Sequence, residues 1–91
     1  MDAVVSKSNL LKLSEMESIA KEATYEALRA YVPISDEDKN ALVLGKVLTD
    51  EAGVFELYVP GDKAQNAKVV SRASVDRATG QVTVEVFLPS L

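Results

Sequence analysis

The chain has 91 residues, of which 47% are hydrophobic and 5% aromatic, and its formal net charge is −4. This length favours one compact domain, and the apolar fraction is high enough to build a core, which argues against a disordered chain. The chain contains no Cys and no His, which excludes a disulfide framework, a thiolate nucleophile and an ordinary zinc site.

The basic residues are dispersed along this acidic chain rather than clustered, so we expect no nucleic-acid partner. Residues 1–9 read as a frayed polar lead-in to a single domain that spans residues 1–91. They lack a basic segment followed by a long apolar one, and no apolar run of the chain reaches membrane-spanning length. We therefore expect a cytoplasmic protein with no membrane partner.

A helix is predicted from Ser14 to about Tyr31. Ser14 and Glu17 have the spacing of a capping box, although a start one turn earlier, near Ser8, is an alternative. Pro33 ends the helix, because proline disfavours the α conformation in the residue before it. One apolar stripe recurs with helical spacing, and it consists of Leu13, Met16, Ile19, Ala20, Ala23, Ala27, Ala30 and Tyr31.

Tyr25 lies at the centre of the opposite, polar face of this helix, among Ser18, Glu22 and Arg29. An aromatic residue in a polar ring is typical of an interface anchor. The alternative is a lone surface aromatic, or one that the lead-in covers. Four alanines on the buried stripe would let the helix approach a sheet closely over small strand residues such as Ser71 and Ala73.

The segment from Ser35 to Asn40 is predicted to be a charged linker, and one helical turn capped by Ser35 is an alternative. Its carboxylates lack the glycine and the terminal glutamate of a calcium-binding loop, so we expect no metal site. Ala41–Thr49 is predicted to be a strand, because branched residues dominate it and a turn-like Asp50–Gly53 follows. A second helix over Asp36–Leu48 is the competing interpretation.

Three further strands are predicted, one at Val54–Val59 and two in a hairpin over Ala67–Leu88. The last strand alternates strictly between apolar and other residues, which requires a sheet with one buried face. Gly80 falls where the hairpin loop needs a positive φ. The sequence therefore predicts an α+β fold, with one N-terminal helix packed on a four-stranded antiparallel meander.

The sheet face away from the helix is the other candidate binding surface. If Phe55 and Leu57 point inward with Val82, Val84 and Val86, an apolar patch points outward, interrupted by charged side chains. Depending on the register of the first strand, Leu42 and Leu44 would join this patch. We expect it to be an interface unless the N-terminal segment or the Leu91 tail covers it. The candidate partner-binding residues are Tyr58, Val70, Arg72, Glu85 and Phe87 on this face, together with Tyr25 on the helix.

Two motifs carry a resemblance to known families: Leu13-Ser14-Glu15-Met16-Glu17 at the helix start, and Asp76-Arg77-Ala78-Thr79-Gly80-Gln81-Val82 at the hairpin turn. The chain resembles cystatin-like α+β modules, such as the N-terminal accessory domains of copper amine oxidases or PepSY-type domains. The resemblance implies a helix over an antiparallel sheet and a non-catalytic role. Copper amine oxidase catalysis requires histidine ligands in a separate domain, so no active-site residue carries over to this chain.

These observations lead to a prediction of function. We expect a small non-enzymatic protein-interaction module of the inhibitor, immunity or accessory type, with no cofactor. It would bind a protein partner, or a second copy of itself as a homodimer, through the open sheet face. The alternative is a non-catalytic accessory domain of a larger enzyme such as a copper amine oxidase.

Overall fold

A computed structural model describes residues 10–91 and contains two helices and four strands, α1 (Leu13–Leu28), α2 (Asp36–Ala41), β1 (Val43–Leu48), β2 (Ala52–Val59), β3 (Lys68–Asp76) and β4 (Val82–Val86). The strands form one antiparallel sheet in the order β1-β2-β3-β4, with a 3-10 turn at Ala64–Asn66 between β2 and β3. This arrangement confirms the predicted α+β fold, one N-terminal helix on a four-stranded meander. The predicted lead-in, residues 1–9, lies outside the described residues.

Helix α1 begins at Leu13, with Lys12 as its N-cap. The backbone N–H of Lys12 donates to Glu15 Oε1 at 2.8 Å. A glutamate at the third helical position satisfies the N-cap N–H in this way. The predicted cap at Ser14 is therefore wrong: Ser14 lies inside the first turn, and Glu15 rather than Glu17 reaches back.

The C-terminal end of α1 lies at Leu28, before the predicted end at Tyr31. The backbone N–H groups of residues 29–31 each donate to the carbonyl three residues earlier, which tightens the last turn. Tyr31 then pairs with Ser90 in an antiparallel bridge. The N–H of Leu91 donates to the carbonyl of Ala30 at 3.0 Å. The C-terminal residues are thus attached to the exit of the helix.

The ambiguous segment after Pro33 divides into a short helix and a strand. Ser35 caps α2, since its Oγ accepts from the N–H of Asp38 at 3.1 Å. From Val43 the chain pairs with β2, so the predicted strand is confirmed and the competing helix over Asp36–Leu48 is wrong beyond its first turns. Lys68 Nζ lies 3.5 Å from Asp38 Oδ2 and links α2 to β3.

The turn between β3 and β4 is closed by the side chain of Asp76. Its Oδ1 accepts from the N–H groups of Ala78 and Thr79 at 2.8 and 2.9 Å. These two donors hold the pKa of the Asp76 carboxyl below its usual value. Gly80 has a φ of +79°, as the loop prediction requires. The hairpin prediction is therefore confirmed down to its glycine.

Arg77 joins three segments at this end of the sheet. Its Nε donates to the carbonyl of Leu11 at 3.0 Å, and its Nη1 donates to the carbonyl of Thr49 at 3.2 Å. Its backbone N–H donates to the carbonyl of Glu51 at 2.9 Å, and its own carbonyl accepts from the N–H of Leu11 at 2.9 Å. One turn residue thus fixes the chain that leads into α1 against the β1–β2 turn.

The core lies between α1 and the middle of the sheet, and its buried members are Met16, Ala20, Phe55, Ala73 and Val75. Helix α1 packs mainly over β3 and β4 and less closely over β2. The small strand residues Ala73 and Ser71 are buried, as is Ala20 of α1. The predicted place of Ala30 on the buried stripe is wrong, since Ala30 lies beyond α1 and is exposed. A Cβ on Gly53 would lie 3.1 Å from Met16 Sδ, so β2 also needs a small residue beneath the helix.

Candidate functional site

Helix α1 covers only part of the sheet, because it lies toward β3 and β4. Strand β1 and the adjoining end of β2 around Leu57 are left with apolar side chains on the same face that α1 does not cover. Leu44 pairs with Leu57 across these strands, and both point to the helix side. The space beside α1 and above β1 and β2 is a groove of about 970 Å³, which we call the helix-side groove.

The floor of the helix-side groove is apolar, and it is made by Leu44, Phe55, Leu57 and Val70. One wall is α1, which presents Thr24, Tyr25 and Leu28 to the groove. The far end is built by the segment that follows the helix, with Val32 and Ile34, and by the C-terminal Leu91. Leu91 is 80% exposed and Val32 is 41% exposed, so apolar surface is open to solvent at this end.

A salt bridge marks the other end of the helix-side groove. Lys46 Nζ of β1 lies 2.7 Å from Glu17 Oε1 of α1, and Lys21 Nζ lies 3.6 Å from the second oxygen of the same carboxylate. The hydrogen bond from Lys46 is the main reason that the pKa of Glu17 is below its usual value. This pair spans the gap between the helix and the uncovered strands.

The charged residues on the rim of the groove are mostly cationic. Lys21 and Arg29 lie on the α1 side and Lys39 on the α2 side, whereas Glu17 is the one acidic side chain that lines the groove among the described residues. Arg29 also lies 3.3 Å from Glu26 of the same helix. This balance is opposite to that of the whole chain, whose net charge is −4. The groove therefore combines an apolar floor with a positive rim.

On the outer sheet face, defined as the face away from α1, charged side chains pair with one another. Arg72 donates from Nη2 and Nε to Glu56 Oε2 at 2.7 and 3.0 Å. Its Nη1 also lies 3.7 Å from Glu85 Oε1. The guanidinium carbon is 5.6 Å from the centroid of the Phe87 ring, a distance typical of a cation–π contact. Arg72 thus has partners within its own chain on three sides.

Apolar residues of the outer sheet face lie on either side of this charged row. Val43 pairs with Tyr58 and Val47 pairs with Val54 on β1 and β2. Val47 is 59% exposed, and Phe87, beyond β4, is 48% exposed. As expected, Arg72 and its acidic partners interrupt the outer apolar patch. This charged row divides the apolar surface into two parts.

The structure separates the predicted site residues into two groups. Tyr58, Arg72, Glu85 and Phe87 lie together on the outer sheet face. Tyr25, in contrast, lies on the rim of the helix-side groove, where it is 74% exposed. The prediction of a partner-binding role for these five residues stays a prediction.

The predicted outward position of Val70 is wrong, since Val70 is 1% exposed and lines the helix-side groove. The cause is a β-bulge. Tyr58 pairs with Val69 and Leu57 pairs with Ser71, so Val70 is an extra residue between the two pairs. A bulge interrupts the alternation of side chains along a strand. Counting by twos from Arg72 therefore assigns Val70 to the wrong face.

The helix-side groove is not predicted by the sequence alone. Leu42 and Leu44, left open between the two faces, both line it. Their helix-side position follows from the pairing of β1 with β2, which the sequence alone did not fix. The apolar spacing of these residues was a signal for a buried face. It carried no information on whether the helix would reach them.

Within residues 10–91, no three Asp or Glu side chains lie close enough together to hold a metal ion. Neither helix of this described part is long and apolar enough to cross a membrane. Comparison of the chain with models of known families, with curated proteins and with solved structures finds no match. The resemblance to cystatin-like modules, copper amine oxidase accessory domains and PepSY-type domains stays a prediction.

Proposed function

We propose that this protein is a small non-enzymatic interaction module that binds a partner protein through the helix-side groove. The observation that carries this proposal is the lateral position of α1, which leaves the apolar helix side of β1 and the adjoining end of β2 uncovered. Large exposed apolar surfaces on small domains are typical of binding sites. Burial of such a surface against a partner would contribute the main favourable free energy of association.

The helix-side groove supports this function better than the outer sheet face does. A partner docked on the outer face would desolvate Arg72 and Glu56, which already form their hydrogen bonds within the chain. Burial of a paired charge often gains little affinity, because the desolvation penalty offsets the attraction. The floor of the groove has no such charged row. The outer face is the second candidate surface for a partner or for a homodimer.

Neither of the two carboxylates whose pKa the structure shifts is suited to act as a general acid. The pKa of Glu17 and the pKa of Asp76 are both lowered, by Lys46 and by backbone N–H groups respectively. A general acid near neutral pH needs a raised carboxyl pKa instead. A cytoplasmic location fits an interaction module of this kind. The alternative, an accessory domain of a larger enzyme, stays a prediction.

The test compares two single substitutions of exposed valines on opposite faces. Val32→Asp places a carboxylate at the mouth of the groove, and Val47→Asp places one on the outer sheet face. Both residues are exposed, so we expect both variants to fold, as circular dichroism would verify. The tagged full-length proteins are used to capture partners from the native host, followed by mass spectrometry. We expect Val32→Asp to lose a partner that the parent protein and Val47→Asp both retain.

The opposite pattern, loss with Val47→Asp and retention with Val32→Asp, would assign binding to the outer sheet face. Retention by both variants would show that the helix-side groove is not the interface. Leu91→Asp repeats the comparison at a second exposed position of the groove, and it should agree with Val32→Asp.

A further inference from the structure

We infer that the occupant of the helix-side groove is an amphipathic α-helix of the partner that carries acidic side chains along the edges of its apolar face. This inference rests on the proposed function and adds the chemistry of the partner. It follows from three properties of the groove: its width, its length and the charge of its rim.

The width of the uncovered sheet matches one helix. Neighbouring strands lie about 4.8 Å apart, so the axes of β1 and β4 are separated by about 14 Å. Packed helices lie about 8–10 Å apart, so each covers about two strands. Helix α1 packs mainly over β3 and β4 and partly over β2, which leaves space for one further helix above β1 and the end of β2 around Leu57.

The length of the groove also suits a helix. Its α1 wall extends from Glu17 to Arg29. With a rise of 1.5 Å per residue, this wall is about 18 Å long, the length of a helix of about 12 residues. A helix of this length presents about four apolar residues on one stripe, at positions i, i+3 or i+4, i+7 and i+11. The half-buried leucines of the groove, Leu42, Leu44 and Leu57, would contact that stripe.

The rim sets the charge of the occupant. Lys21 and Arg29 flank the groove on one side, where they pair with Glu17 and Glu26, and Lys39 flanks it on the other. Glu17, the one acidic side chain of the lining among the described residues, is also paired with Lys46. Acidic residues on both edges of a docked helix would therefore face cations. Complementary charge at the rim of an interface determines specificity and the association rate more than it does total affinity.

The experiment uses two synthetic helical peptides of about 14 residues with the same leucine stripe. One carries glutamate at the positions that flank the stripe, and the other carries lysine there. A scrambled glutamate peptide controls for composition. Each is titrated into the full-length, isotope-labelled protein, and backbone resonances are followed by NMR. We expect shifts at Leu44, Leu57 and Val70, and about tenfold tighter binding of the glutamate peptide than of the lysine peptide at low salt.

Charge reversal on the rim tests the cause of this preference. Lys39→Glu should reduce the preference for the glutamate peptide severalfold, whereas Lys63→Glu, on the loop between β2 and β3, should leave it unchanged. The preference should also shrink in about 1 M NaCl, where screening is strong. Lys39 and Lys63 are both exposed, so neither substitution disturbs the core.

Several results would overturn the inference. Equal binding of the three peptides, or shifts confined to the outer sheet face, would exclude an acidic amphipathic helix as the occupant. Groove shifts with the apolar anion 1-anilinonaphthalene-8-sulfonate and none with any peptide would indicate a small amphiphile instead. Tighter peptide binding by Val4→Asp would assign the groove to the chain's own N-terminal segment, and concentration-dependent dimerisation lost in Val32→Asp would assign it to a second copy.

The failure of this inference is distinguishable from the failure of the proposed function. If Val32→Asp abolishes capture of the partner but Lys39→Glu does not alter its affinity, the groove is the interface and the charge of the occupant is wrong. If Val32→Asp still captures the partner, the helix-side groove is not the interface. The proposed function is then wrong, whatever the charge of the partner.

Discussion

The two halves of the sheet on the helix side are built from similar apolar residues but have different neighbours. Over β3 and β4, helix α1 buries Ala73 and Val75 almost completely. Over β1 and the adjoining part of β2, Leu44 and Leu57 are only half-buried and face the groove. The first half supplies most of the packing that stabilises the fold, and the second half exposes the surface that we propose for binding. Stability and recognition are therefore separable in this domain.

The largest expected effect is a loss of stability on truncation in the covered half. Met16 is fully buried between α1 and the sheet, so Met16→Ala should lower the free energy of unfolding by about 2–5 kcal/mol. Leu44→Ala, in the uncovered half, removes a half-buried side chain and should lower it by about 1 kcal/mol. Urea denaturation of both variants measures the difference. Equal losses would show that the two halves do not differ in their contribution to stability.

A pair of glycine substitutions sharpens the comparison at a smaller scale. Gly80→Ala places a side chain at a φ of +79°, which should lower the free energy of unfolding by roughly 1–2 kcal/mol. Gly45→Ala, on β1 of the uncovered half, is the control. A Cβ there would lie 3.5 Å from the Tyr58 ring, an ordinary contact, so we expect a change of less than about 0.5 kcal/mol. Thermal unfolding of both variants measures the two losses of stability. A larger loss for Gly45→Ala than for Gly80→Ala would contradict this expectation.

The smallest expected effect concerns the link between the halves, the salt bridge of Glu17 with Lys46. The pKa of Glu17 is lowered from its usual value of 4.5 by folding, so the charged form stabilises the folded state. At neutral pH the parent protein should be more stable than Glu17→Gln. This difference should persist above the usual pKa and disappear as the pH falls through the lowered pKa.

Urea denaturation between neutral and acidic pH measures this dependence. Glu22→Gln, at an exposed position of the same helix, is the control, and we expect its difference from the parent protein to be smaller. A Glu17→Gln difference that is constant across the pH range would show that the salt bridge does not contribute through the charge of Glu17.

The long helix and the four strands of this fold follow from local patterns in the sequence. The strict alternation of β4 and the turn residues Asp76 and Gly80 define the hairpin without tertiary information. The helical stripe is predicted less well, since it omits Thr24, which is buried. Thr24 lies one turn after Ala20, and its polar side chain concealed its position on the packed face.

The candidate site could not be predicted from local patterns, because it depends on how the strands pair and on where the helix lies across the sheet. The inward position of Leu44 requires the pairing of β1 with β2, and the position of Val70 requires knowledge of a bulge. The groove also depends on where α1 lies across the sheet, which is determined by the sum of many packing contacts. Tyr25 was identified from its polar surroundings alone, and the structure places it on the rim of the groove.

The bulge in β3 has a consequence for how this strand can change in length. Because strand residues alternate between faces, deletion of one residue near Ala73 would turn its neighbours over and direct the Arg72 charge toward the core. At the bulge, Leu57 and Tyr58 keep their partners Ser71 and Val69 when the extra residue between them is removed. Position 70 is therefore the place where β3 can lose a residue and keep its register with β2. Such a deletion would remove a buried side chain and the carbonyl that accepts from the N–H of Phe87 at 2.9 Å.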